Sequence, residues 1–233
     1  HENAGVSTNS TSQWGLNAII LPELIGKYLP DSSFQHQQQK FDSLKNSFRK
    51  IVVRGFKNWF ADGRKLNLSA TGHNILFKAG PAPASDADHS VLWTRQEFRG
   101  DLKIEFEYIR RDQATRYANI LYLFAQGSGE APYEKDISRW NNLREIPAMK
   151  QYFNHMNLFH VSFAAFENDN NQPGADYIRA RVYNPSGKKG LSDTELKPEH
   201  YTTGFFDSFL PHHVTVIRQG DTVWMELRSV PRR

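Results

Sequence analysis

The chain has 233 residues, with 29 Lys and Arg against 25 Asp and Glu, nine His and no Cys. That length suffices for one large β domain or two small ones, and the lack of cysteine excludes disulfides, thiolate zinc sites and cysteine nucleophiles. A formal charge of +4 attracts acidic partners only weakly and is too small for a dedicated nucleic-acid binder, and no apolar run approaches the ~20 residues that span a bilayer.

Residues 1–13, HENAGVSTNSTSQ, are small, polar and aperiodic and predict a disordered head. Such a start suits an exported protein, so a secreted or periplasmic location is expected. Residues 14–50 read as a helical lead-in packed on the main domain. LNAIILPELIGKYLP has apolar residues at helical spacing, broken by Pro22 and Pro30, and the next stretch sets Phe34, Phe41, Leu44 and Phe48 along one face.

From Ile51 the period changes to two, and residues 51–233 read as one β domain. Nine short runs follow: KLNLSA, NILFKA, SVLWTRQEF, DLKIEFEYI, YANILYLFAQ, LFHVSFAAF, YIRARVYN, HVTVIRQ and TVWMELR. Turn chemistry separates them (ADGR, FRGD, NDNNQPGAD, RQGD), which predicts an all-β antiparallel sandwich or jelly roll. Two long insertions, 127–150 and 185–211, interrupt the pattern and are expected to be functional or disordered.

Alternation assigns the faces. Phe159, Val161 and Phe163 point one way, and Leu158, His160, Ser162 and Ala164 the other. In the next run Ile178, Ala180 and Val182 oppose Tyr177, Arg179, Arg181 and Tyr183. The loop ENDNNQPGAD lets the two runs pair as a hairpin, and folding it about its middle sets His160 near Tyr183 and Ser162 near Arg181. The expected patch of His, two Arg and two Tyr has no carboxylate in either run. An imidazole beside a phenol and guanidinium groups suits proton transfer next to an anion, and the planar Arg fork matches a uronate carboxylate.

Other constellations point less sharply. Glu105 and Glu107 share a face with Lys103, which reads as a solvated ladder in preference to a glycosidase acid/base pair. SDADH (85–89) and ENDNN (167–171) hold oxygen ligands of the kind a structural calcium takes, but neither has EF-hand spacing and turn chemistry explains both. No metal or organic cofactor is expected, and no phosphate-binding loop, zinc spacing or serine-hydrolase elbow is present. His155 and His160 would lie ~17 Å apart in an extended strand, too far to share a metal.

The order HSVLWTRQEFRGDLKIEFEYI (89–109), NILYLFAQGSG (119–129), YFNHMNLFHVSF (152–163) and YIRARVYN (177–184) resembles a family of unknown function that includes the YesU proteins. The matching positions include Tyr152, His155, Asn157 and His160, with Trp93 and the turn at 97–101 next. The resemblance spans residues 52–228 and implies a concanavalin-like jelly roll and a setting of bacterial polysaccharide breakdown. It transfers no catalytic assignment.

Jelly-roll lyases cleave uronic-acid polymers by β-elimination, which needs a carboxylate neutraliser, a base and an acid. The expected assignment is His160 as proton acceptor, Tyr183 as its partner and Arg181 on the uronate carboxylate. Arg179, Tyr177, Tyr152, His155, Asn157, Gln96 and Trp93 are expected to line the substrate site. The arginines should lower the His160 pKa and keep the imidazole neutral. The expected function is a lyase acting on an acidic polysaccharide or oligosaccharide; the alternatives are a non-catalytic lectin-like protein and a glycoside hydrolase.

Overall fold

The structure, a computed structural model, describes residues 17–22, 32–53, 56–72, 74–82, 84–166, 176–187 and 189–229. Twelve strands are found among them: β1 (Asn17–Pro22), β2 (Trp59–Asp62), β3 (Asn67–Thr71), β4 (Asn74–Lys78), β5 (Val91–Thr94), β6 (Leu102–Ile109), β7 (Tyr117–Gly127), β8 (Met156–Phe166), β9 (Asp176–Tyr183), β10 (Glu195–Tyr201), β11 (Pro211–Gln219) and β12 (Thr222–Ser229). Two α-helices join them, α1 (Ser32–Leu44) and α2 (Met149–His155), together with a 3-10 helix over Ile137–Arg144. No helix among the described residues is long and apolar enough to cross a membrane.

The strands form two four-stranded sheets, ordered β1-β12-β11-β6 and β10-β9-β8-β7, and two ribbons, β2-β5 and β3-β4. All pairings are antiparallel except β1 with β12. The large sheets stack as a sandwich because each has one apolar face. Leu123, Val161, Phe163, Ile178, Ala180 and Val182 from one meet Val214, Val216, Val223, Met225 and Leu227 from the other. Tyr108 of β6 closes the stack edge-on to Phe163 of β8, ring centroids 5.1 Å apart. The β11–β12 hairpin turns in two residues, with Gly220 in the left-handed region (φ +56°) that such turns require.

All nine predicted runs carry a strand, and three further strands, β1, β2 and β10, lie outside them. Residues 17–22 of the predicted helical lead-in are the parallel edge strand β1; the β-branched pair Ile19–Ile20 and a terminal Pro22 suit an edge strand better than a helix. Residues 1–13 and 23–31 lie outside the described residues. The second piece is helical, and Phe41, Leu44 and Phe48 pack against Ile217 and Trp224 on the outer face of the first sheet. The 185–211 insertion, expected to be functional or disordered, carries β10, which extends the second sheet. Its alternation Glu195, Lys197, Glu199, Tyr201 is polar throughout, so no hydrophobic period marks it as a strand.

Candidate functional site

The outer face of the second sheet carries the residues singled out by alternation. β8 and β9 pair as a hairpin two residues away from the expected register: His160 sits opposite Arg181, Ser162 opposite Arg179 and Leu158 opposite Tyr183. The side chains still meet, because His160 leans along its strand towards Tyr183. Its Nδ1 lies 2.6 Å from the Tyr183 hydroxyl, and its Nε2 lies 2.6 Å from Ser162 Oγ. Just past Ser162 the pairing shifts register on both sides, and Ala164 adopts a left-handed backbone (φ +43°). A bulge of this kind bends the strand and ends the polar row.

This face, expected to take substrate, is closed. His160 is 2 % exposed, Tyr183 0 %, and Ser162, Arg179 and Arg181 4 % each. Burial drives the His160 pKa well below the ordinary imidazole range, and the charges of Arg181 and Arg179 add to the effect. The ring is therefore neutral, as the base role requires. A neutral imidazole has one N–H, so one hydroxyl donates to it and the other accepts from it. Burial also raises the pKa of the Tyr183 phenol, against the opposing pull of Arg181.

The patch was expected to lack a carboxylate; β10 supplies two. Arg179 Nε donates to Glu199 at 2.7 Å, and Arg181 Nη1 donates to Glu195 at 2.7 Å. Arg179 also donates to the Tyr201 hydroxyl at 2.9 Å, and Arg181 to Thr194 Oγ1 at 2.9 Å. Lys197 and Tyr201 donate to Glu199 as well. Burial alone would raise the Glu199 pKa, but Lys197, Tyr201 and Arg179 outweigh it and hold it at about 2. The assignment of Arg181 as a ready-made holder of a uronate carboxylate is thus corrected: Glu195 already occupies that role. Both carboxylates lie in a segment without apolar period, which is why sequence reasoning missed them.

Tyr152, expected to line the substrate site, sits on helix α2. Its hydroxyl donates to Asp62 Oδ2 at 2.8 Å, and Trp93 Nε1 donates to the same oxygen at 2.9 Å. Both polar handles expected at the substrate are turned instead to a buried carboxylate, whose pKa burial raises in spite of Trp93, Tyr152 and Arg144. The two rings form a wall with Tyr122, which stacks on Trp93 at 5.6 Å and meets His160 edge-on at 5.6 Å. Tyr122 and Asp62 are missed neighbours of the site. Tyr122 has the same parity in its strand as Ile120, opposite the core residues Leu121 and Leu123, and that alternation was the available signal.

The remaining expected residues are not gathered with His160. His155 ends α2 and stacks on Tyr133, with centroids 3.5 Å apart. Asn157 shares the parity of Phe159 and so faces away from His160. Gln96 is exposed in the turn after β5, where its carbonyl accepts from the Thr94 hydroxyl. Tyr177 lies at the far end of the row, its ring under the Arg179 guanidinium at 4.9 Å.

Glu105 is bridged to Lys103 at 3.0 Å on the other sheet, as a solvated ladder should be. Asp88 of SDADH is tied to Ser85, Lys65 and the Ala82 N–H, which is turn chemistry; ENDNN lies outside the described residues. Among the described residues no group of three or more His, Asp or Glu side chains is arranged to hold a metal. No protein-family model matches the sequence, and comparison with curated proteins finds no match.

Proposed function

We propose that this protein is a jelly-roll polysaccharide lyase, acting outside the cytoplasm on a uronic-acid-containing chain by β-elimination at His160 and Tyr183. One observation carries the reading: a neutral imidazole is held between a phenol and an aliphatic hydroxyl, each at 2.6 Å, beside two arginines. A phenol donates better than it accepts, so the Tyr183 O–H points to Nδ1 and the Nε2 proton points to Ser162. Tyr183 can then take the proton on the carbon next to the uronate carboxyl while passing its own to His160. The bond from the neighbouring carbon to the glycosidic oxygen breaks, a carbon–carbon double bond forms, and the leaving oxygen is protonated by the same pair. The resemblance at residues 152–163 supports the carbohydrate setting. Because the pair is buried, the chemistry includes an opening step at the β10 edge, where Tyr201 is 41 % exposed.

A second reading, a non-catalytic carbohydrate-binding protein, is favoured by the two ion pairs, which leave the face matched without a substrate. Incubation with a polyuronate panel separates the two. Ultraviolet absorbance from an unsaturated product is expected, with Tyr183→Phe and His160→Gln each losing ~10²–10⁴ in turnover. Binding without product would make the protein a lectin. Reducing ends without unsaturation would make it a hydrolase.

A further inference from the structure

We propose that the sugar unit taken by this face is an uncharged uronate whose carboxyl is capped as an ester, and not a free uronate; this rests on the elimination reading above. The argument starts from charge. Among the described residues, the two guanidinium groups of the face are matched one to one by Glu199 and Glu195. Arg179, Arg181 and Glu199 have side chains at most 8 % exposed, and Glu195 27 %. The histidine between them is neutral, and burial keeps the Tyr183 phenol protonated. Among the described residues Lys197 of β10 adds a further cation, 68 % exposed at the rim and already bridged to Glu199.

A free carboxylate entering this face would be desolvated beside Glu195 and Glu199, and no guanidinium there lacks a carboxylate partner to repay that cost. Elimination from a free uronate makes matters worse, because removing the α proton places a second negative charge on the carboxylate. An ester avoids both problems. It arrives neutral, its α proton is more acidic, and the enolate formed carries one negative charge where a free uronate would carry two. The atoms balance as before: the α proton passes to the Tyr183–His160 pair, the glycosidic carbon–oxygen bond breaks, and the pair returns a proton to the leaving oxygen.

The test uses one polyuronate in two forms, highly methyl-esterified and saponified, with unsaturated ends and calorimetric binding both measured. Faster cleavage of the esterified form is expected, by ~100-fold or more if a buried like-charge contact is the difference. Glu195→Gln removes one matching carboxylate and should narrow that preference by ~10-fold or more, through gain on the saponified polymer. If this variant fails to fold, the wild-type comparison of the two forms decides alone. Equal or faster cleavage of the saponified form overturns the proposal. Binding of the esterified form with cleavage of neither supports the charge argument and refutes the elimination reading, whereas binding of neither overturns both.

Discussion

The outer faces of the two sheets are built from the same kinds of residue, yet one is closed along its whole polar row and the other stays open at one end. On the first sheet, cross-strand rows run Lys103–Ile217–Trp224, Glu105–Thr215–Glu226 and Glu107–His213–Arg228. Helix α1 covers the apolar end of this grid, through Phe41 on Ile217 and Trp224, and in the middle row Thr215 and Glu226 are buried too, with Lys45 reaching Glu226 at 2.8 Å. Glu105 and His213 remain partly open to water. On the second sheet, His160, Ser162, Arg179, Arg181 and Tyr183 are sealed, and each arginine faces a carboxylate. Charged rows tolerate either state. A face open to water needs no internal matching, whereas a closed one must supply its own counter-charges and hydrogen bonds.

The largest expected difference between the two faces comes from breaking that matching. Arg179→Ala leaves Glu199 on the closed face with only Lys197 and Tyr201, and should cost about 3 kcal/mol in urea denaturation. Replacing both partners, as Arg179→Met with Glu199→Leu, should recover most of the loss, because no unpaired charge is then buried. A double variant as unstable as the single one would show that packing, not charge, holds this strand pair.

The covered corner of the open face should respond less, and locally. Phe41→Ala removes a fully buried ring from under α1 and should cost at most about 3 kcal/mol, capped by the free energy of docking the helix. Amide exchange should quicken across Ser32–Leu44 and stay unchanged in β11 and β12. Equal quickening of the sheet would mean that α1 belongs to the global folding unit.

The smallest effect is the pH dependence that His160 adds to the closed face. The folded-state pKa of His160 is depressed, so between that value and the ordinary 6.5 the unfolded chain binds a proton that the folded chain does not. The stability contribution is complete above about pH 6.5 and falls as pH drops, by up to about 1.4 kcal/mol per unit. His155, His200 and His212 are depressed by burial in the same direction. The difference between wild type and His160→Gln, measured by denaturation at pH 7 and 5.5, isolates the one residue. A flat difference would mean that His160 titrates normally in the fold.

Much of this architecture was legible in the sequence, for a local reason. Side chains alternate across a strand whatever surrounds it, so LFHVSFAAF and YIRARVYN alone assign His160, Ser162, Arg179, Arg181 and Tyr183 to one face and Val161, Ile178 and Val182 to the other. The same logic made Glu105 and Glu107 an outward ladder. It failed where apolar period is missing or ambiguous: β10 is polar at every alternate position, and NAIILP satisfies helix and strand patterns alike.

Alternation says which residues share a face, but what lies over that face is settled by contacts distant in sequence. Asp62 turns Trp93 and Tyr152 away from the row, although Tyr152 is 90 positions further along the chain. Glu195 and Glu199 meet Arg181 and Arg179 only because β10 returns to the edge of β9. Burial and counter-charge are properties of that assembled layer, and they decide whether an imidazole is neutral and whether a guanidinium is already matched. Local alternation sets the row, whereas its charge comes from the assembled layer, because electrostatic environment depends on distance in space and not on separation along the chain.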